Sequence, residues 1–170
     1  RMYWKNGVRE IDLSQKTLTT ETNEKYRYDL IVGCDGVNSV VRQAIAQTWP
    51  AFNTTQELIP GLFKVVKLPT MPPALDPTAV QLLFPKSGAI TAFVEPTANG
   101  TCCVLFAGRN ASDVLLSSDN ATAIREELEG RYPKLAGADL EAAASQMVKN
   151  GKPAQASLVR CNTYHYDSCA

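Results

Sequence analysis

Asp35-Gly36-x-x-Ser39-x-x-Arg42 sets a carboxylate, a glycine, a hydroxyl and a guanidinium close together in the chain. An apolar run, Leu30-Ile31-Val32, enters the turn Gly33-Cys34-Asp35-Gly36, and an apolar-periodic segment, Val37, Val40, Val41, Ala44 and Ile45, leaves it. That pattern predicts a buried strand, a tight turn and a helix start. Glycine lets backbone N–H groups come close to a ligand, and a helix N-terminus favours negative charge. The stretch is therefore expected to grip a phosphate-bearing cofactor. The plainer reading is a strand-to-helix turn whose Asp caps the helix.

The elements around this turn follow from periodicity. Residues 1–32 read as a β-meander, with strand-like runs Val8-x-x-Ile11-x-Leu13 and Thr17 to Thr20, and Asn6-Gly7 as a hairpin signal. A helix is expected from about Asn38 to Gln47, stopping near Trp49-Pro50. Beyond residue 50, Pro and Gly punctuate four short strands: Leu62 to Leu68, Val80 to Phe84, Ala89 to Val94 and Thr101 to Phe106. Residues 118–149 turn helical. Ser118 or Asp119 is the expected cap for a stripe of Ile124, Leu128 and Tyr132 that Pro133 ends. A second helix starts near Asp139 and ends at Asn150-Gly151, and residues 157–166 are strand-like again. The fold class expected is mixed α/β: a partial Rossmann-like domain plus a mixed sheet with helices on one face. The first domain would hold residues 1–50, the second 51–156, and 157–170 would return to the first.

The chain of 170 residues has 17 basic and 17 acidic side chains, which gives no bulk attraction to nucleic acid or an anionic membrane. With 45% hydrophobic and 20% charged residues, it has ordinary globular composition, and no run is long enough to span a membrane. The cysteines, Cys34, Cys102, Cys103, Cys161 and Cys169, lack metal-site spacing and read as reduced intracellular thiols. Cys34 is expected to be a small apolar filler, and His165, the single histidine, a structural residue. Sequons begin at Asn53, Asn99, Asn110 and Asn120. They motivate a glycoprotein reading, but the pattern arises by chance in an Asn- and Thr-rich chain. Strand-like sequence at both ends suggests an internal piece of a longer protein.

The turn resembles the DG motif of FAD-dependent aromatic monooxygenases. The similarity continues through Leu58-Ile59-Pro60-Gly61 into Lys67-Leu68-Pro69, through Gly130-Arg131-Tyr132-Pro133, and through Val159 to Tyr166, and lies nearest the kynurenine 3-monooxygenase type. The family's G-x-G-x-x-G motif is not in this sequence, and the chain stops where its Gly-Asp motif would begin. The resemblance implies FAD and NADPH (or NADH) as cofactors, dioxygen as co-substrate, and transfer of oxygen from a flavin C4a-hydroperoxide to an activated, kynurenine-like ring. It implies cofactor binding by Asp35, Gly36, Ser39, Val40 and Arg42. Arg42 is left as either a partner of Asp35 or a pyrophosphate contact. It places Gln81, Ile90, Ala92, Val94 and Phe106 on the substrate pocket. Strand alternation independently puts 90, 92 and 94 on one face, although a plain core face alternates likewise. Relatives of this type carry a membrane anchor outside such a segment, so a cytoplasmic or mitochondrial outer-membrane setting is implied. An FAD-dependent epoxidase, reductase or halogenase, or a non-catalytic binding module, is the alternative.

Overall fold

The computed structural model describes residues 5–169; the strand-like stretch expected at Arg1 to Trp4 lies outside the described residues. The chain divides into two compact units, one running up to Leu58 and resuming at Ser157, the other spanning Ile59–Ala156.

The first unit opens with an antiparallel meander of β1 (Val8–Asp12), β2 (Thr17–Thr20) and β3 (Lys25–Arg27). Asn6-Gly7 lies ahead of β1, and residues 13–16 make the turn between β1 and β2. The Asp12 carboxylate accepts from Ser14 Oγ at 2.7 Å and Gln15 N at 2.9 Å, a side-chain-built turn completed by Lys16 at φ 52°. Gly7 instead offers its carbonyl to Glu21 N, just past the end of β2. Helix α1 (Val40–Thr48) lays Val41, Ala44 and Ile45 on Ile11, Leu13 and Cys169. Leu30 to Val32 does not form the buried strand that its composition predicts. Ile31 makes a single parallel bridge to Cys169, and Leu30 and Val32 are 65% and 60% exposed. A strand is buried on both faces only when parallel neighbours and covering helices flank it, and no such flank lies among the described residues. The next strand, β4 (Thr54–Leu58), is exposed along its whole length, so it lacks the alternation that would have marked it in the sequence.

The second unit is an antiparallel sheet with helices on one face. Strands β5 (Leu62–Leu68), β6 (Gln81–Leu83), β7 (Thr91–Pro96) and β8 (Cys102–Gly108) lie in the order β5-β8-β7-β6. Three helices follow: α2 (Val114–Ser117), α3 (Ala121–Arg131) and α4 (Leu140–Lys149). Asn120, rather than Ser118 or Asp119, caps α3, its side-chain oxygen accepting from Ala123 N at 3.2 Å. Val66, Leu68, Val94, Val104 and Phe106 pack with Leu115, Ile124, Leu128 and Met147 in one core. On edge strand β5, Gln146 of α4 accepts from Lys67 N at 2.9 Å and donates to Lys67 O at 2.8 Å. Asn150 donates to Val65 O at 2.8 Å. The chain then returns as β9 (Ser157–Cys161), antiparallel to β4 in the first unit. No helix among the described residues is long and apolar enough to cross a membrane.

The Gly130-Arg131-Tyr132-Pro133 run fastens α3 to the sheet side. Arg131 meets Asp113 at 2.8 Å, with both side chains about nine-tenths buried, and Glu127 at 2.5 Å. Tyr132 donates its hydroxyl to Ile90 O at 2.5 Å. Gly88 leaves room for the guanidinium, since a Cβ there would sit 2.9 Å from Arg131 Nη1. Asp113→Ala leaves a buried guanidinium without its carboxylate and should cost about 3 kcal/mol. Equilibrium urea unfolding measures this; a loss below about 1 kcal/mol would show that Glu127 alone satisfies Arg131.

Candidate functional site

The turn from Gly33 to Arg42 is built by its own side chains. Gly33 permits close packing, because a Cβ there would come within 2.8 Å of Val41 Cβ. Gly36 sits at φ 75°, a left-handed conformation that L side chains resist. Gly36–Asn38 forms one turn of 3-10 helix, and Ser39 caps α1, its hydroxyl accepting from Arg42 N at 3.0 Å. The Asp35 carboxylate accepts from Val40 N at 2.7 Å and Val41 N at 3.4 Å. The opening N–H groups of α1 are therefore already occupied by Asp35 and Ser39. The expectation that the bare helix N-terminus grips a phosphate is corrected: the cap fills it.

Arg42 is not the ion-pair partner of Asp35. Its guanidinium donates to Gly36 O at 3.3 Å and to Val37 O, and no ion pair joins it to Asp35 among the described residues. It clamps the 3-10 turn from the helix side. Gly36, Ser39 and Arg42 then line a cavity of about 240 Å³, with Ile45, Phe52 and Val159 as apolar wall. A Cβ built on Gly36 meets nothing within 4 Å, so the backbone there lies open to a ligand. Asp35 and Val40 line a separate groove with Ile11, Leu18 and Ile31. The five residues share one turn but serve two sides of it.

Of the residues expected on the substrate pocket, Ile90, Ala92, Val94 and Phe106 are closed inside the core, none more than 1% exposed. They occupy the face that the helices cover, so the pocket reading is corrected to core. Gln81 is half-buried and donates from Nε2 to Asp76 O at 2.9 Å. The opposite face of the same strands is the open one. Leu82, Phe84, Thr91, Phe93 and Ala107 line a depression of about 630 Å³. Alternation found the two faces but not which one the helices would cover. The signal available was that this second face also carries apolar side chains, Phe93 among them, more than a solvated face needs. Cys34 is exposed in the turn, not a filler, and His165 is exposed with Nδ1 3.3 Å from Thr163 Oγ1. No group of His, Cys, Asp or Glu among the described residues is arranged to hold a metal ion.

Partial burial works to raise the Asp35 carboxyl, but hydrogen bonds from Ser39, Val40 and Val41 outweigh it and hold the group below the ordinary Asp value. A carboxyl lowered in the folded state stabilises above its unfolded pKa of about 3.9 and loses that contribution as pH falls through the folded value. Wild-type stability should therefore decline on acidification below about pH 4 more steeply than that of Asp35→Asn. Thermal unfolding followed by circular dichroism from pH 6 to pH 3 tests it; parallel profiles would mean that the carboxylate does not secure α1.

Solved structures share this fold. The tetrameric form of 2-methyl-3-hydroxypyridine-5-carboxylic acid oxygenase superposes with a TM-score of 0.65 at 17% identity, over 97% of this chain and 42% of that one. PqsL of Pseudomonas aeruginosa, a probable FAD-dependent monooxygenase, gives 0.59 at 16% identity, over 97% and 44%. The Diels-Alderase PyrE3 of pyrroindomycin biosynthesis gives 0.54 at 14% identity, over 96% and 33%. At these identities the likeness is one of fold, and the chain spans less than half the length of each. Comparison with curated proteins finds no match. The family model described as FAD binding domain matches residues 9–160, from the meander through the DG turn and the open sheet to β9. This chain belongs to the FAD binding domain family.

Proposed function

We propose that the chain is part of an FAD- and NAD(P)H-dependent monooxygenase that hydroxylates an activated, kynurenine-like aromatic ring. The observation that carries this reading is the turn from Asp35 to Arg42. It is locked from within and presents an open glycine backbone beside an arginine and a hydroxyl. That donor set suits the phosphate or ribose of a dinucleotide, and the apolar wall of Ile45, Phe52 and Val159 suits a ring edge. A cavity of about 240 Å³ takes one portion of FAD, not the whole molecule.

The residues divide the work. Gly36 lets the cofactor approach the backbone, and Ser39 and Arg42 offer donors along the cavity. Asp35 and Val40 hold the start of α1 in place and face the second groove, which leaves them to act on position more than on contact. Bound FAD, reduced by NADPH or NADH, supplies the electrons and the activation of dioxygen. The unit spanning Ile59–Ala156 receives the aromatic substrate on its open face, where Leu82, Phe84 and Phe93 offer an apolar surface for the ring. An activated ring needs orientation and exclusion of water more than an acid–base pair, which matches a face made of apolar side chains.

Substituting Gly36 tests the reading directly. Valine at φ 75° is strained by roughly 1–2 kcal/mol and would place a side chain where the cofactor approaches. In the full-length protein, Gly36→Val should lower flavin content about tenfold or more while the fold persists. The wild type should show NADPH oxidation and oxygen uptake stimulated by kynurenine. Full flavin content in the variant would remove the turn from the cofactor site. Flavin-loaded wild type that consumes no NADPH with any aromatic compound would remove the monooxygenase assignment.

A further inference from the structure

We propose that Asn99 is a site of spontaneous covalent modification, converting to isoaspartate and aspartate through a succinimide formed with Gly100. The site lies at the tip of the β7–β8 hairpin and stands whether or not the chain binds flavin. The reaction needs a small residue after the asparagine, a carboxamide that nothing holds, and water. Three Asn-Gly pairs occur in the sequence, Asn6-Gly7, Asn99-Gly100 and Asn150-Gly151. The structure separates them by what engages each carboxamide. Asn6 donates from Nδ2 to Glu24 at 2.9 Å and accepts from Thr22 Oγ1 at 3.0 Å, so its amide is held at both ends. Asn150 donates from Nδ2 to Val65 O at 2.8 Å. Asn99 is exposed, and among the described residues no hydrogen bond engages its side chain.

The backbone at the tip leaves room for ring closure. Asn99 sits at φ 66° and Gly100 at φ 72°, two successive left-handed residues. A Cβ built on Gly100 meets nothing within 4 Å, so the peptide between them can turn its nitrogen toward Asn99 Cγ in open space. In the reaction, the Gly100 nitrogen loses its proton and bonds to Asn99 Cγ. The Cγ–Nδ2 bond breaks, and ammonia leaves with that proton. Water then opens the ring. Opening at the side-chain carbonyl gives aspartate. Opening at the main-chain carbonyl gives isoaspartate, which routes the backbone through the side-chain methylene. Gly100 O accepts from Met71 N at 2.8 Å, and Met71 packs against the core of this unit. The tip therefore latches the Pro-rich loop ahead of β6. One more backbone atom in the tip displaces Gly100 O and releases the latch.

The test ages the full-length protein at mildly alkaline pH and physiological temperature. Peptide mass spectrometry, with fragmentation that distinguishes isoaspartate from aspartate, follows each Asn-Gly pair. The Asn99 peptide should convert about tenfold faster than those holding Asn6 and Asn150. Gly100→Ala, which crowds the attacking nitrogen, should slow conversion about tenfold. Asn99→Gln, which would have to close a larger ring, should stay unconverted at that position and needs no change at the strained glycine. Hydrogen exchange at the Met71 amide reads the latch. It should quicken in aged protein but not in Asn99→Asp, which carries the new charge without the longer backbone. Equal conversion at the three pairs, or faster conversion at Asn6 or Asn150, would overturn the assignment. Unchanged Met71 exchange in isoaspartate-bearing protein would overturn the latch.

Discussion

The carboxylate of Asp35 binds its own chain before it can bind anything else. Its bonds to Val40 and Val41 N–H hold the start of α1 against the turn, and Ser39 and Arg42 close the same loop from the other side. The order of dependence runs outward from there. With α1 fixed, Val41, Ala44 and Ile45 can sit on the meander, and the 3-10 turn can hold Gly36 with its backbone uncovered. A site made this way is rigid at no cost to an incoming ligand, because its internal hydrogen bonds are complete beforehand. The same economy limits what Asp35 and the helix dipole can offer to a phosphate.

The second unit solves a different problem with one sheet. A four-stranded sheet has two faces, and the three helices cover only one. On the covered side, side chains from alternate strand positions reach near-complete burial. On the uncovered side, the intervening positions keep Phe93 and Leu82 partly open. Because side-chain direction alternates along a strand, a one-residue change of position decides between core and ligand surface. The buried Arg131–Asp113 pair ties α3 to the start of α2, and the Tyr132 bond to Ile90 O ties the end of α3 to the sheet side.

Much of this was legible in the residues. The strand at Leu62–Leu68 was read with its observed bounds, because its apolar pattern is dense and Gly61 and Pro69 delimit it. Helix α4 was recognisable from Asp139 and Asn150-Gly151, which act as start and stop. Three features were not legible, each for a physical reason. Leu30 to Val32 has the composition of a buried strand, but burial needs neighbours that composition does not supply. Strand β4 is exposed throughout, so pairing with β9, about a hundred residues away in sequence, is all that defines it. The pocket face was misassigned because Ile90, Ala92 and Val94 alternate as core residues and pocket residues both do. Within the DG turn, spacing carries no sign of the direction of the side-chain bonds. Arg42 reaching back to two carbonyls has no signature in spacing.

The side-chain amides of Gln146 and Asn150 do more than attach α4 to β5. An edge strand ordinarily displays a row of unpaired N–H and C=O groups that any passing extended chain can adopt as a template. Here Gln146 answers both polar groups of Lys67, Asn150 takes Val65 O, and Phe63 exchanges bonds with Ala154. The β5 margin is thereby sealed along most of its length by the unit's own residues. The opposite margin, β6, is three residues long, too short to recruit a foreign strand effectively. A sheet left bare on one face for a ligand is thus protected at both rims against lateral growth, so its open apolar surface need not make it a seed for fibres.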